Sequence, residues 1–217
     1  MTKTAGAEPF VPKHATLALL REAAESCRGC DLYLQASRAV LGEGPVRARV
    51  VLIGEQPGDA EDREGRPFVG PAGRLLDRAL TDAGLKRSEV YLTNSVKHFK
   101  FEERGKRRIH KKPNLTEVRA CHPWLEAELR LIRPAVIGCL GATAAQSLLG
   151  PQFRLTRERG VPVDHPYAGL IVATVHPSAI LRAPDPEKRQ ADYQHFVSDL
   201  TVIRRLIQAN RSLRAKS

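Results

Sequence analysis

A chain of 217 residues, 42% of them hydrophobic, is long enough to close one α/β domain around its own core and gives no reason to draw a second. Lysine and arginine outnumber aspartate and glutamate 35 to 24, a net charge of +11, which favours a polyanionic partner: DNA or RNA first, an anionic membrane surface second. No apolar run approaches the roughly 20 residues that cross a bilayer. The first residues lack the basic-then-apolar pattern of an export signal, and Cys27, Cys30, Cys121 and Cys139 are too few and uneven for a disulfide framework. A cytoplasmic, nucleoid-associated protein with reduced thiols and no membrane contact is expected.

Residues 1–13, with Gly6, Pro9 and Pro12, carry no periodic pattern and are expected to be mobile, as are residues 211–217. A helix is predicted over 16–25. Cys27-Arg28-Gly29-Cys30 follows, two thiols within reach of one metal centre, a spacing that equally suits a redox couple or half a zinc site. Strands are predicted over 49–53, 90–93, 135–140 and 170–175, each apolar and rich in β-branched residues. Helices are predicted over 71–83, 115–132, 142–149 and 186–208. Pro71 opens its helix, Gly84 follows the end of the same one, and Asn114 caps the next. Strands alternating with helices predict a parallel sheet covered by helices. Cys139 lies inside the strand over 135–140 and reads as a small buried side chain.

Open parallel sheets bind ligands beyond the carboxyl ends of their strands. Glu55, Gln56, Asp59 and Asp62 follow the first predicted strand, Asn94 the second and His176-Pro177-Ser178 the fourth, so a carboxylate, an amide and an imidazole are placed to converge. Each alone has an ordinary explanation as a turn, cap or core residue. A Gly-x-Gly-x-x-Gly dinucleotide fingerprint and a Gly-x-x-x-x-Gly-Lys-Ser/Thr phosphate loop are both absent. The run Gly105-Lys106-Arg107-Arg108-Ile109-His110 delivers an imidazole among residues that attract phosphate. A basic run on its own is more often a solvated face.

Gly54-Glu55-Gln56-Pro57-Gly58 through Asp62, the stretch 65–76 with Pro67-Phe68-Val69-Gly70, Thr93-Asn94 and His176-Pro177-Ser178 resemble the iron–sulfur uracil-DNA glycosylases of family 4. The resemblance runs from Cys27 to Arg182. The Lys106 to His110 insertion narrows it to the UdgX subgroup, whose members capture their own DNA substrate covalently.

The resemblance implies a single domain over 1–217, a three-layer α/β/α sandwich with a central four-stranded parallel sheet, acting as a monomer on uracil-containing DNA, single-stranded before duplex, and releasing free uracil. Phe68 matches the residue that stacks on the flipped base, and Asn94 the amide that reads its edge. His176 is implied to stabilise the departing uracil and Glu55 the cationic sugar, with Gln56 where family 4 relatives commonly carry alanine. Asp59 is assigned to the substrate side with Asp62, both more as pocket-shaping groups than as chemical ones. His110 is implied to attack the anomeric carbon and remain bonded to it. Lys106, Arg107 and Arg108 are expected to contact phosphates and to favour the neutral imidazole by repulsion. Ser178 and Arg182 are expected on phosphate, with Ile180 or Leu181 as a wedge between bases and the basic tail from Arg204 to Lys216 adding non-specific affinity. Family 4 holds a 4Fe–4S cluster on four cysteines. Cys27, Cys30 and Cys121 match three of them and His98 stands at the third position, a departure with precedent in Rieske centres. A conventional multiple-turnover glycosylase and a non-catalytic iron–sulfur DNA-binding protein are the alternatives.

Overall fold

The computed structural model describes residues 5–214, with side chains described to residue 210; the expected mobile ends at 1–4 and 215–217, and the tail side chains beyond 210, lie outside the described residues. Ala7, 1% exposed, donates its N–H to the Ala120 carbonyl at 2.8 Å and so packs the first described residues on the helix that carries Ala120.

In chain order the main elements are α1 (Leu17–Ala24), β1 (Val50–Gly54), α2 (Asp59–Glu64), α3 (Pro71–Asp82), β2 (Val90–Asn94), β3 (Phe101–Arg104), β4 (Arg107–His110), α4 (Leu115–Ile132), β5 (Val136–Leu140), α5 (Ala142–Leu149), α6 (Leu155–Glu158), β6 (Pro162–His165), β7 (Ala168–Thr174), α7 (Pro177–Leu181) and α8 (Pro186–Arg214). Asn114 caps α4 as predicted: its Oδ1 accepts from the Glu117 N–H at 2.9 Å, while the Glu117 carboxylate accepts from the Asn114 N–H at 2.7 Å. Each predicted strand and long helix is present, with ends within two residues of those expected except at α8, which continues past the expected 208 to Arg214.

The central sheet has the order β2-β1-β5-β7-β6. β2, β1, β5 and β7 run parallel, as predicted, and β6 adds a fifth, antiparallel strand on the β7 edge. The four-stranded expectation missed β6 because it is short and half-exposed, with Pro162 at its start, the composition of an edge strand and not of a buried one.

Alternate residues of the parallel strands face opposite layers. Val51, Ile53, Ile137, Cys139 and Ile171 pack with α1, α4 and α5, whereas Val50, Leu52, Val136, Leu140 and Val172 pack with α3 and α8. Both faces are therefore buried, which is why these strands read as continuous apolar runs. Cys139 is fully buried in β5, as its apolar setting predicts.

The basic run is not a loop. β3 and β4 form a separate antiparallel hairpin, with Phe101 opposite His110 and Arg104 opposite Arg107. Gly105, φ +60°, takes the positive-φ first position of its two-residue turn. Exposed, charged strands leave no alternating apolar signal, so periodicity could not reveal them.

Candidate active site

The chain goes from β1 to β2 on one side, then crosses back to β5 on the other, so the switch in strand order falls at β1. At that end Gly54 stands opposite Asn94 in the sheet register. A Cβ on Gly54 would lie 2.3 Å from Asn94 Oδ1 and 2.8 Å from Phe68 Cζ. The glycine thus lets the amide and the phenyl ring meet over the strand end. Phe68 is held there with φ +58°, a left-handed conformation costly for a bulky side chain. Its carbonyl crosses so close to α3 that a Cβ on Gly73 would sit 1.8 Å from the Phe68 oxygen.

His176 faces this ring with centroids 6.2 Å apart and planes 29° from parallel. The Ser178 backbone N–H donates to His176 Nδ1 at 3.2 Å, and Ser178 Oγ lies 2.8 Å from the same atom. A backbone N–H can only donate, so Nδ1 is the unprotonated nitrogen and Nε2 carries the hydrogen. Burial pushes the His176 pKa down to about 4, which keeps the ring neutral. Ser178, expected on phosphate, is here the residue that orients His176. Ile180, a candidate wedge, is 1% exposed and belongs to the core, whereas Leu181 stands out at 39%.

Glu55 lies just beyond β1, with Oε2 accepting a short hydrogen bond from Thr143 Oγ1 at the start of α5. Its other oxygen is 3.4 Å from Nε2 of His110. Burial pushes the Glu55 carboxyl upward, but the hydrogen bonds from His110 and Thr143 outweigh it and hold the group below the usual carboxylate value. Both Glu55 and His110 act electrostatically on His176, so the three predicted catalytic side chains converge.

The hairpin reaches this position through two clamps. Gln56, 7% exposed, donates from Nε2 to the carbonyls of Lys100 and Lys111, each at 3.1 Å, and accepts the Lys100 N–H at 3.1 Å. Its amide therefore holds the base of the hairpin instead of facing substrate. Arg108 donates to Asp62 Oδ2 at 2.6 Å and makes a short ion pair with Asp59. The guanidinium also lies 4.9 Å over the Phe101 ring. Asp62, fully buried, takes the Ser37 N–H as well. Arg108 was expected on phosphate and Asp59 on substrate; here Arg108 with Asp59 and Asp62 fastens the hairpin to α2. Lys106 and Arg107 project at the exposed tip, while the His110 imidazole lies against Glu55.

The Uracil DNA glycosylase superfamily model matches residues 41–201, the span that contains every element of this site. The chain belongs to the uracil-DNA glycosylase superfamily. It is 38% identical to the Type-4 uracil-DNA glycosylase of Thermotoga maritima over 79% of this chain and 86% of that relative. Identity to the Type-4 enzyme of Pyrobaculum aerophilum is 37%, over 76% and 84%. The Type-5 uracil-DNA glycosylase of Thermus thermophilus is 35% identical over a shorter span, 52% of this chain and 55% of its own.

This glycosylase chain also carries four buried donors that suit an iron–sulfur group: Cys27, Cys30, His98 and Cys121, each under 9% exposed. Each sulfur has an N–H beside it: the Trp124 indole donates to Cys27 Sγ at 3.3 Å, the Lys97 backbone to Cys121 Sγ at 3.2 Å, and the Leu32 backbone to Cys30. Such hydrogen bonds stabilise and tune cluster thiolates. The three thiols also act on one another electrostatically, and His98 lies within the field of Arg28 in the Cys27–Cys30 turn. Among the described residues no three His, Cys, Asp or Glu side chains are gathered to hold one metal ion, while a cluster takes one ligand per iron and needs them set apart. The donor set fits a cluster, and Cys139, pushed up to about 12 by burial alone, has no such donor.

Three further residues of this glycosylase were missed in the sequence. Thr143 is a plain helix residue until the fold brings it to Glu55. Glu61 accepts from Gly58 N–H at 3.1 Å and Gly70 N–H at 2.9 Å, tying the loop that carries Phe68; the Gly-x-x-Glu spacing was its one available signal. Lys97, fully buried, donates to Glu128 Oε2 and the Asn94 carbonyl, each at 2.6 Å, and to Thr93 Oγ1 at 2.8 Å. Tyr91 and Thr93 hydroxyls and the Gly42 N–H complete the shell around Glu128. A lysine between strand and hairpin reads as surface, so nothing in the sequence marked it.

Proposed function

We propose that this protein excises uracil from DNA and then bonds its own His110 to the abasic sugar. The observation that carries the reading is the 3.4 Å approach of His110 Nε2 to Glu55, beside a pocket walled by Phe68, Asn94 and His176. Family membership and the Type-4 relatives support uracil excision; the hairpin geometry supports the capture.

A flipped deoxyuridine stacks its base on Phe68, and the Asn94 amide pairs with the base edge. Cytosine, with an amino group where uracil has a carbonyl, leaves polar groups unpaired. As the bond from C1′ to the base nitrogen breaks, its electron pair leaves with uracil, and the Nε2–H of neutral His176 donates to the negative oxygen. Glu55, held ionised, faces the positive charge left on the sugar. Nε2 of His110 then bonds to C1′ with the lone pair of the tautomer that holds its hydrogen on Nδ1, and the Nδ1 proton is released to water, from which the uracil anion takes its own. One C–N bond is exchanged for another, and uracil departs neutral. Positioned attack of this kind competes with water through an effective concentration of about 10⁵ M or more.

A 4Fe–4S cluster on Cys27, Cys30, His98 and Cys121 would supply a cross-link between the 27–30 turn, the loop after β2 and α4. Gln56, Arg108 and the loop after β2 then set the hairpin, so the residues of this chain direct His110.

A conventional enzyme in which water attacks C1′ has one observation in its favour, the 51% exposure of the His110 side chain. Denaturing electrophoresis with uracil and thymine oligonucleotides separates the two. Uracil release with a protein–DNA band that survives denaturation, absent with thymine and absent in His110→Ala, is the expected result. Free uracil with free abasic DNA from the unaltered protein would leave the conventional enzyme, and no uracil at all would end both readings.

A further inference from the structure

We infer that a groove between α3, α7 and α8, outside the uracil pocket, is a second DNA-binding site that takes the phosphodiester backbone of the strand flanking the flipped nucleotide. The groove has a volume of about 450 Å³ and is lined by Arg74, Arg78 and Arg189 with Leu181, Pro186 and Tyr193.

Its position follows from the chain. α3 begins just after Phe68, and α7 begins just after His176, so the groove is walled by the two helices that issue from the pocket. The exposed Leu181 stands at its lip. Arg74 and Arg78 are four residues apart on α3, one above the other and roughly 6 Å apart along the axis at the usual rise of about 1.5 Å per residue. That is the order of the spacing between successive phosphates in a strand. Arg189 faces them from α8.

The groove carries more positive than negative charge. Among the described residues none of the three arginines is in an ion pair; Asp77 is paired with Arg87 at 3.3 Å and Asp192 with Lys188 at 3.0 Å, and the one carboxylate at the groove, Asp82, accepts from the Tyr193 hydroxyl at 2.5 Å. The Arg78 guanidinium rests 4.3 Å over the Tyr193 ring, which holds it in the groove without neutralising it. Three guanidiniums in one concave surface, none of them in an ion pair among the described residues, on a chain of net charge +11, are complementary to a polyanionic backbone.

This site rests on the uracil-excision reading only for the identity of its strand. The test uses the full-length protein, a triple variant R74A/R78A/R189A, and single-stranded oligonucleotides carrying one 2′-fluoro-deoxyuridine, which resists cleavage, in a short form that fills only the pocket and a form several times longer. On the long oligonucleotide the slope of log Kd against log salt should fall by about 2, at about 0.7 for each single-strand phosphate that is no longer neutralised. On the short one Kd should not move, and uracil release from the same short sequence with ordinary deoxyuridine, at saturating DNA, should be unchanged. Equal slopes on the long oligonucleotide, or equal loss on the short one, would overturn the groove as a backbone site. Failure of the unaltered protein to release uracil from an ordinary deoxyuridine oligonucleotide would strike the glycosylase reading instead, and the slope comparison would still stand.

Discussion

Nε2 of His110 lies 3.4 Å from Oε1 of Glu55, although the two residues are separated by 55 positions, one on the hairpin and the other just past a strand of the main sheet. The contact joins a rigid strand end to a small hairpin whose own strands bury little. What keeps the imidazole there is the set of clamps beneath it, and these are open to test.

Gln56→Ala removes three hydrogen bonds at the base of the hairpin, each worth about 0.5–1.5 kcal/mol. Adduct formation should slow by about tenfold or more, while uracil binding, which uses other side chains, changes little. Single-turnover kinetics on a denaturing gel, set against Kd for the uncleavable oligonucleotide, measures both; equal losses in the two would assign Gln56 to the base pocket.

Arg108→Ala leaves fully buried Asp62 without its cation and should cost on the order of 3 kcal/mol of stability. Hydrogen exchange at residues 101–110 should accelerate well before global unfolding. Unchanged protection across the hairpin would show that Arg108 does not anchor it.

Gly73→Ala places a methyl group where the Phe68 carbonyl lies, 1.8 Å from the oxygen. Neither backbone can yield without moving Phe68 from the pocket, so uracil excision should fall by about 100-fold or more, with a stability loss of about 2 kcal/mol. Gly150→Ala, at a turn with φ +90° and open space where its Cβ would stand, serves as a control for backbone strain alone: it should cost about 1 kcal/mol and spare excision.

His176 sets a pH dependence. The unfolded imidazole titrates near 6.5 and the native one near 4, so in this window the unfolded chain binds the extra proton and native stability falls as acid is added. The contribution present at pH 7 should decline by at most about 2 kcal/mol by about pH 5, at about 1.4 kcal/mol per unit. His176→Asn removes the titrating group, and its thermal midpoint should fall less than that of the unaltered protein between these two pH values.

The strands and long helices were legible because burial on both faces leaves continuous apolar runs in the chain, and Pro71 and Asn114 mark helix starts by local chemistry. Glu55, Asn94 and His176 were legible as candidates for the same reason: a parallel sheet sends the ends of its strands to one edge, so position after a strand already implies convergence. Phe68 needed the family resemblance, since it does not lie at a strand end of the main sheet; His110 was marked by the basic run around it, and only its role needed the resemblance. The roles of Gln56, Arg108 and Ser178 were not legible. Each is polar and was assigned outward to substrate or phosphate, and each instead turns inward to a carbonyl, a carboxylate or an imidazole. Hydrogen-bond partners far apart in sequence are chosen by folding, and no local pattern records them. The buried Lys97–Glu128 pair escaped for the same cause: a charge becomes tolerable inside only once its whole shell of partners has been assembled.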